Sequence, residues 1–181
     1  YSKMTVADQM QQKARCNQLL EKALARVRIE DRIVLDTGSG AAVTFLGGPD
    51  AAFLFALALR ESPEGYAPRL RIGVNLGPVR LVTDDDGQPN IIGDGIDVAQ
   101  QVMRFAGVDQ VLASRGYVEA LADLSARWAA SFSFDGVRTD PQVREHEVFA
   151  LNRRAVTDLR AQLESRNAGA SADTPSGRRG D

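Results

Sequence analysis

The sequence predicts an α+β fold, a sheet of mixed strands covered by helices on one side. Three observations carry this. Helix-like and strand-like segments alternate along the 181 residues. Short apolar runs come in pairs separated by tight turns, as in hairpins. The order helix, strand, strand, helix, strand is that of a β-α-β-β-α-β core whose opening strand is missing from the chain. A single domain of this length can bury a sizeable core.

Each element has its own warrant. "TVADQMQQKARCNQLLEKALARV" reads as one helix, with Thr5 and Asp8 as a capping start and Met10, Leu19, Leu20, Leu24 and Val27 as its apolar stripe. Two strands around 32–36 and 41–46 follow, joined by the turn Thr37-Gly38-Ser39-Gly40. Pro49 opens a second helix, "PDAAFLFALALRE", apolar nearly all round and suited to lie flat on a sheet. "PEGYAP" is a loop, and "LRIGVNLGPVRLVTD" reads as a hairpin-like pair of strands bent at Gly77-Pro78.

"DDDGQPN" is a polar turn; its aspartates suggest calcium only weakly, because the ligand periodicity of an EF-hand loop is missing. From Asp94 a third helix turns Ile96, Ala99, Val102, Met103 and Ala106 inward and stops at Gly107. "QVLAS" is a strand whose Ser114 caps a helix running to about Arg127. "SFSFDGV" and "EHEVFAL" are late strands. Residues 153–166 are expected to form a C-terminal helix, and the small, polar residues 167–181 a disordered tail.

Composition narrows the function. A formal net charge of -2 gives no electrostatic reason to expect nucleic acid or an acidic membrane as partner. The longest apolar segment, "AAFLFALALR", falls well short of the ~20 residues a membrane span needs. Cys16 stands alone and cannot close an internal disulfide, which favours a reducing, cytoplasmic setting. No signal peptide is visible. The start at Tyr1, almost directly on a helix, suggests a fragment cut from something longer.

Three blocks in order, "LDTGSGAAVTFLG", "LRIGVNLGPV" and "NIIGDGIDVAQQVMRFAGVDQVLAS", resemble the catalytic domain of class III nucleotidyl cyclases, the adenylate and guanylate cyclase family. The opening "YSKM" resembles the residues that follow that family's first metal aspartate, and "VREHEVFAL" the last strand of its bacterial single-domain members. The likeness covers residues 1–152 and implies the family's ferredoxin-like core. It also implies head-to-tail dimers with each active site between two protomers. Two aspartates there hold two divalent metals on a nucleoside triphosphate whose ribose 3′-hydroxyl attacks the α-phosphorus. An asparagine orients the ribose, and an arginine one helical turn later stabilises the transition state.

On this sequence the family's second metal aspartate falls on Ser39, between Gly38 and Gly40. A neutral hydroxyl is a poor Mg²⁺ ligand beside a carboxylate. Asp36 lies an odd number of residues away, so it is no obvious substitute. The ribose asparagine falls on Asp97 and the arginine on Gln101, an i, i+4 pair on one helix face. The base-reading lysine and aspartate fall on Leu35 and about Asn90, the latter shortly before Gly93. Losing one preorganised transition-state donor costs about 10²–10³ in rate, and a phosphoryl-transfer arginine is worth on the order of 10³–10⁵.

Other conspicuous residues have ordinary readings. Asp94 is expected to cap its helix, and Gly73, Gly77, Gly93 and Gly95 to serve backbone conformation or close approach. His146 reads as a sheet-face residue, Trp128 and Phe132 to Phe134 as core, and Arg153-Arg154 as an exposed helix start.

The expectation is a degenerate, inactive cyclase homology domain serving as a regulatory or dimerisation module in cyclic-nucleotide signalling. It would pair as a homodimer or with another cyclase domain. The alternative is an active or weakly active cyclase making a 3′,5′-cyclic nucleotide from a nucleoside triphosphate. No cofactor is expected to be retained; Mg or Mn would serve only residual activity. A third reading is a sensor that holds the nucleotide without turnover.

Overall fold

The computed structural model describes residues 5–38, 40–60, 69–152 and 157. Helix α1 (Val6–Leu24) starts on a capping box: the Asp8 amide donates to the Thr5 hydroxyl, and the Asp8 carboxylate accepts from the Thr5 amide. Only its C-terminal half buries apolar surface, through Leu24 with Leu19, Leu20 and Ala23. Val6 and Met10 are exposed. Strands β1 (Arg32–Asp36) and β2 (Ala41–Phe45) pair antiparallel, from Arg32 opposite Phe45 to Asp36 opposite Ala41. Helix α2 (Pro49–Arg60) follows.

The chain then runs β3 (Arg71–Val74), β4 (Arg80–Thr83), β5 (Pro89–Ile92), α3 (Asp94–Phe105), β6 (Gln110–Ser114), α4 (Arg115–Leu124), α5 (Ala126–Ala129), β7 (Phe132–Thr139) and β8 (Glu145–Leu151). Ser125 ends α4 and caps α5, so the single helix expected to reach Arg127 is two. The loop at 63–68 and the C-terminal helix and tail expected over 153–181 lie outside the described residues, Thr157 excepted.

"LRIGVNLGPVRLVTD" is not a hairpin. β3 pairs in parallel with β6, while β4 pairs antiparallel with β5, a strand the sequence reading took for part of a polar turn and a helix lead. The bend at Gly77 serves close packing instead: a β-carbon there would meet the Gly95 backbone at 2.9 Å. The two runs therefore part company and seek different partners.

The larger sheet has the order β3-β6-β8-β7. Alternation along β6 and β8 splits its side chains between two faces. Val111, Ala113 and Leu151 face Phe53, Ala56 and Leu57 of α2 with Tyr117 and Leu121 of α4. Leu112 and Val148 face Val102 of α3 and Ala106 at its C-cap. Helices thus cover both sides of the sheet, not one as the pattern suggested.

Among the described residues, strands β2 and β3 each have one bonded neighbour. Phe55 and Leu59 of α2 lie across both, packing on Val43 and Phe45 from one side and Leu70 and Ile72 from the other. Among the described residues this is the arrangement of a β-α-β-β-α-β core without its first strand: hairpin and larger sheet share one helix but no ladder.

Candidate functional site

The sequence-predicted site residues fall into two groups held by different elements. The first is the β1–β2 turn. Its backbone closes through the Thr37 amide donating to the Gly40 carbonyl at 3.1 Å. Gly38 takes φ +81°, a left-handed conformation that glycine adopts at no steric cost. Asp36 shapes the turn locally: its Oδ1 accepts the Gly38 amide at 2.7 Å, an Asx turn. Its Oδ2 lies 2.8 Å from Lys13 Nζ on α1. The Lys13 hydrogen bond and then the Gly38 amide hold its carboxyl below the usual range. Half-buried Cys16 lies near the same carboxylate; burial first, then Asp36, pushes its thiol up. Leu35 is half-buried in β1. Ser39 lies outside the described residues.

The second group surrounds the start of α3. Gly93, at φ +131°, occupies the N-cap position, so Asp94 is the first helical residue and not the cap expected of it. The Gly95 amide donates to the Pro78 carbonyl at 3.0 Å. A β-carbon on Gly95 would meet Gly77 and Pro78 backbone at under 3 Å, so only glycine lets α3 seat here. Asp97 and Gln101 do not share an exposed face: Asp97 is exposed, whereas Gln101 is 8% exposed. Buried Gln101 Oε1 has no hydrogen-bond partner among the described residues. Asn90, half-buried in β5, spends its Oδ1 on the neighbouring Ile91 amide at 2.7 Å.

The sequence reading missed Asn75. Its Nδ2 donates to the Gly95 carbonyl at 2.9 Å and its Oδ1 accepts from the Ser114 hydroxyl at 2.6 Å, tying β3, α3 and β6 together. A lone amide directly after an apolar strand was the available signal.

Solved structures share this fold as a whole. No protein-family model matches the chain, and no curated protein matches its sequence. An adenylate/guanylate cyclase/hydrolase from Silicibacter pomeroyi aligns with TM-score 0.59 and 21% identity over 84% of this chain and 89% of its own. The guanylate cyclase domain of a Catenaria anguillulae protein, solved with GTP, gives 0.61 and 14% over 83% and 87%. A non-canonical dimeric guanylyl cyclase domain of a fusion protein from Blastocladiella emersonii gives 0.59 and 16% over 82% and 85%. The chain has the fold of nucleotide cyclase catalytic domains.

The metals that a cyclase fold implies do not fit the described residues of this one. At the glycine turn the Asp36 carboxylate already has an ammonium and an amide on its two oxygens. Among the described residues, no three His, Cys, Asp or Glu side chains converge on a common point.

Elsewhere in the cyclase fold, His146 is more than the sheet-face residue expected. Its Nε2 lies 2.9 Å from Oδ2 of Asp140, whose side chain is fully buried. That carboxylate also accepts the Gln142 and Arg144 amides and Arg144 Nε, each at 2.9 Å. Burial pushes its carboxyl up, but the His146 and Arg144 hydrogen bonds prevail and hold it well below the usual range. The ring of His146 packs against Phe105 at the end of α3, centroids 5.8 Å apart. An open cavity of about 300 Å³ lies alongside, lined by Asn75, Ser114, Arg115, Glu145, His146 and Glu147. Arg115 is paired there with Glu147 and with Glu119.

Proposed function

We propose that this chain is a degenerate class III nucleotide cyclase homology domain, a non-catalytic regulatory or dimerisation module of cyclic-nucleotide signalling. The observation that carries this is the state of α3. Where the family presents an asparagine and an arginine to the nucleotide, this helix has an exposed carboxylate, Asp97, and a buried amide, Gln101. A carboxylate repels a triphosphate, and a buried neutral amide supplies no charge to a phosphoryl group in transfer. At the other group of site residues, the glycine turn offers one carboxylate already paired with lysine.

Association with a second cyclase-type domain, head to tail, is the role this leaves. The exposed Leu76, Leu81 and Ile92 around the β4–β5 hairpin support association, and the non-canonical dimer of the Blastocladiella domain supports dimerisation in general.

A residual cyclase is the second reading, favoured by the retention of the fold and by the GTP held in the Catenaria structure. One experiment separates them. Purified chain is incubated with ATP, GTP, CTP or UTP and Mn²⁺, and products are resolved by chromatography. No cyclic nucleotide is expected, and robust cyclic product refutes the proposal. A thermal-shift titration with the same nucleotides then tests for a sensor, because a ligand that binds the native state alone raises the melting point.

A further inference from the structure

The cyclase reading calls for divalent cations at the glycine turn, and the side chains there answer with a cation of their own. Lys13 lies in the N-terminal half of α1, where the helix buries little apolar surface. Its ammonium reaches Asp36 Oδ2 at 2.8 Å, while the Gly38 amide occupies Oδ1. Cys16 lies three residues further along α1, on the same helix face as Lys13. Its thiol is held neutral by burial and by Asp36, so it adds no negative charge that would draw a metal.

We infer that the Lys13 ammonium neutralises the carboxylate beside this turn, linking α1 to the β1–β2 hairpin and competing with Mg²⁺ and Mn²⁺ for Asp36. An incoming divalent ion would have to displace the lysine and then sit beside a positive charge. The pair is exposed, 46% for Lys13 and 59% for Asp36, so the competition is of modest size. Removing the ammonium is expected to raise the affinity of the turn for a divalent ion about fivefold. The inference rests on the proposed function only for the expectation that metals belong at this turn.

Paramagnetic broadening of backbone amide signals by Mn²⁺ provides the test, and it reads metal proximity independently of any turnover. In the unmodified chain, Thr37 and Gly38 are expected to broaden no more than Asp85 and Asp86 of the exposed β4–β5 turn. Lys13→Met, and separately Lys13→Gln, should broaden Gly38 at about one-fifth of the Mn²⁺ concentration, and adding Asp36→Asn should remove that gain. Selective broadening of Gly38 in the unmodified chain overturns the inference, and so does a lysine variant that gains nothing. Cyclic product in the earlier assay would refute the non-catalytic reading whatever the broadening shows; a failure here withdraws the paired carboxylate from the support for that reading and leaves it resting on Asp97 and Gln101 of α3.

Discussion

Gln101 is where side-chain chemistry and position disagree most. Its Oε1 is buried without a partner among the described residues, and an orphaned buried acceptor costs about 1–3 kcal/mol. Gln101→Leu keeps the approximate volume and removes the orphan, so it should raise the thermal midpoint by about 2–4 °C, as calorimetry would record. Gln101→Arg should instead lower it, because the position is interior and a guanidinium there has to be desolvated or pushed out. Restoring the family's arginine alone therefore harms the fold before it helps any chemistry. Asp140 makes the opposite case, a buried charge that is fully engaged. Its folded-state pKa lies below the unfolded value of about 3.9, so its stabilisation is complete above that pH and is lost as pH falls through the folded value. Asp140→Asn should lower the midpoint by several degrees at neutral pH and flatten the loss of stability below about pH 4, which denaturant melts across pH would show. Nothing in "TDPQVREHE" announced this cluster, because its partners meet only when the β7–β8 turn folds back on itself.

Among the elements, those governed by local rules were legible in advance. The capping box of α1, the Pro49 start of α2, the Ser114 cap of α4 and the glycine hairpin all obey propensities that act within a few residues. What misled was partner choice. β3 and β4 lie close in sequence and look like a hairpin, but β3 is claimed by β6 and β4 by β5, and those preferences depend on residues up to 40 positions away. Burial misled similarly at α3. The i, i+4 spacing of Asp97 and Gln101 is a fact of the helix, yet only the packed neighbours decide which of the two is covered. Of the candidate site, the tight turn between β1 and β2 was legible in the sequence, whereas the contacts of Lys13 and Asn75 were not. Gly73 shows how tight the α3 packing is: a β-carbon there would run into the backbone of Ala99 and Met103. Gly73→Ala should therefore force α3 off β3 and cost about 3 kcal/mol or more by urea denaturation.

The whole molecule has two properties that point outward. Among the described residues the β1–β2 hairpin and the four-stranded sheet share a helix without sharing a ladder, and apolar side chains around the β4–β5 hairpin stand in solvent. If association is the function, sedimentation equilibrium should find a self-associating species, and Leu81→Asp with Ile92→Asp should weaken it about tenfold or more. An unaltered monomer in both would remove self-pairing from the proposal. The central claim, a cyclase fold without working phosphoryl-transfer chemistry, meets its most direct test in a single-turnover measurement. The chain is held in large excess over radiolabelled ATP or GTP with Mn²⁺, so that even a weak site must act on all the nucleotide. We predict less than about one conversion per hour, against the 1–10³ per second typical of enzymes. Cyclic nucleotide forming at about one per second or faster would contradict the account.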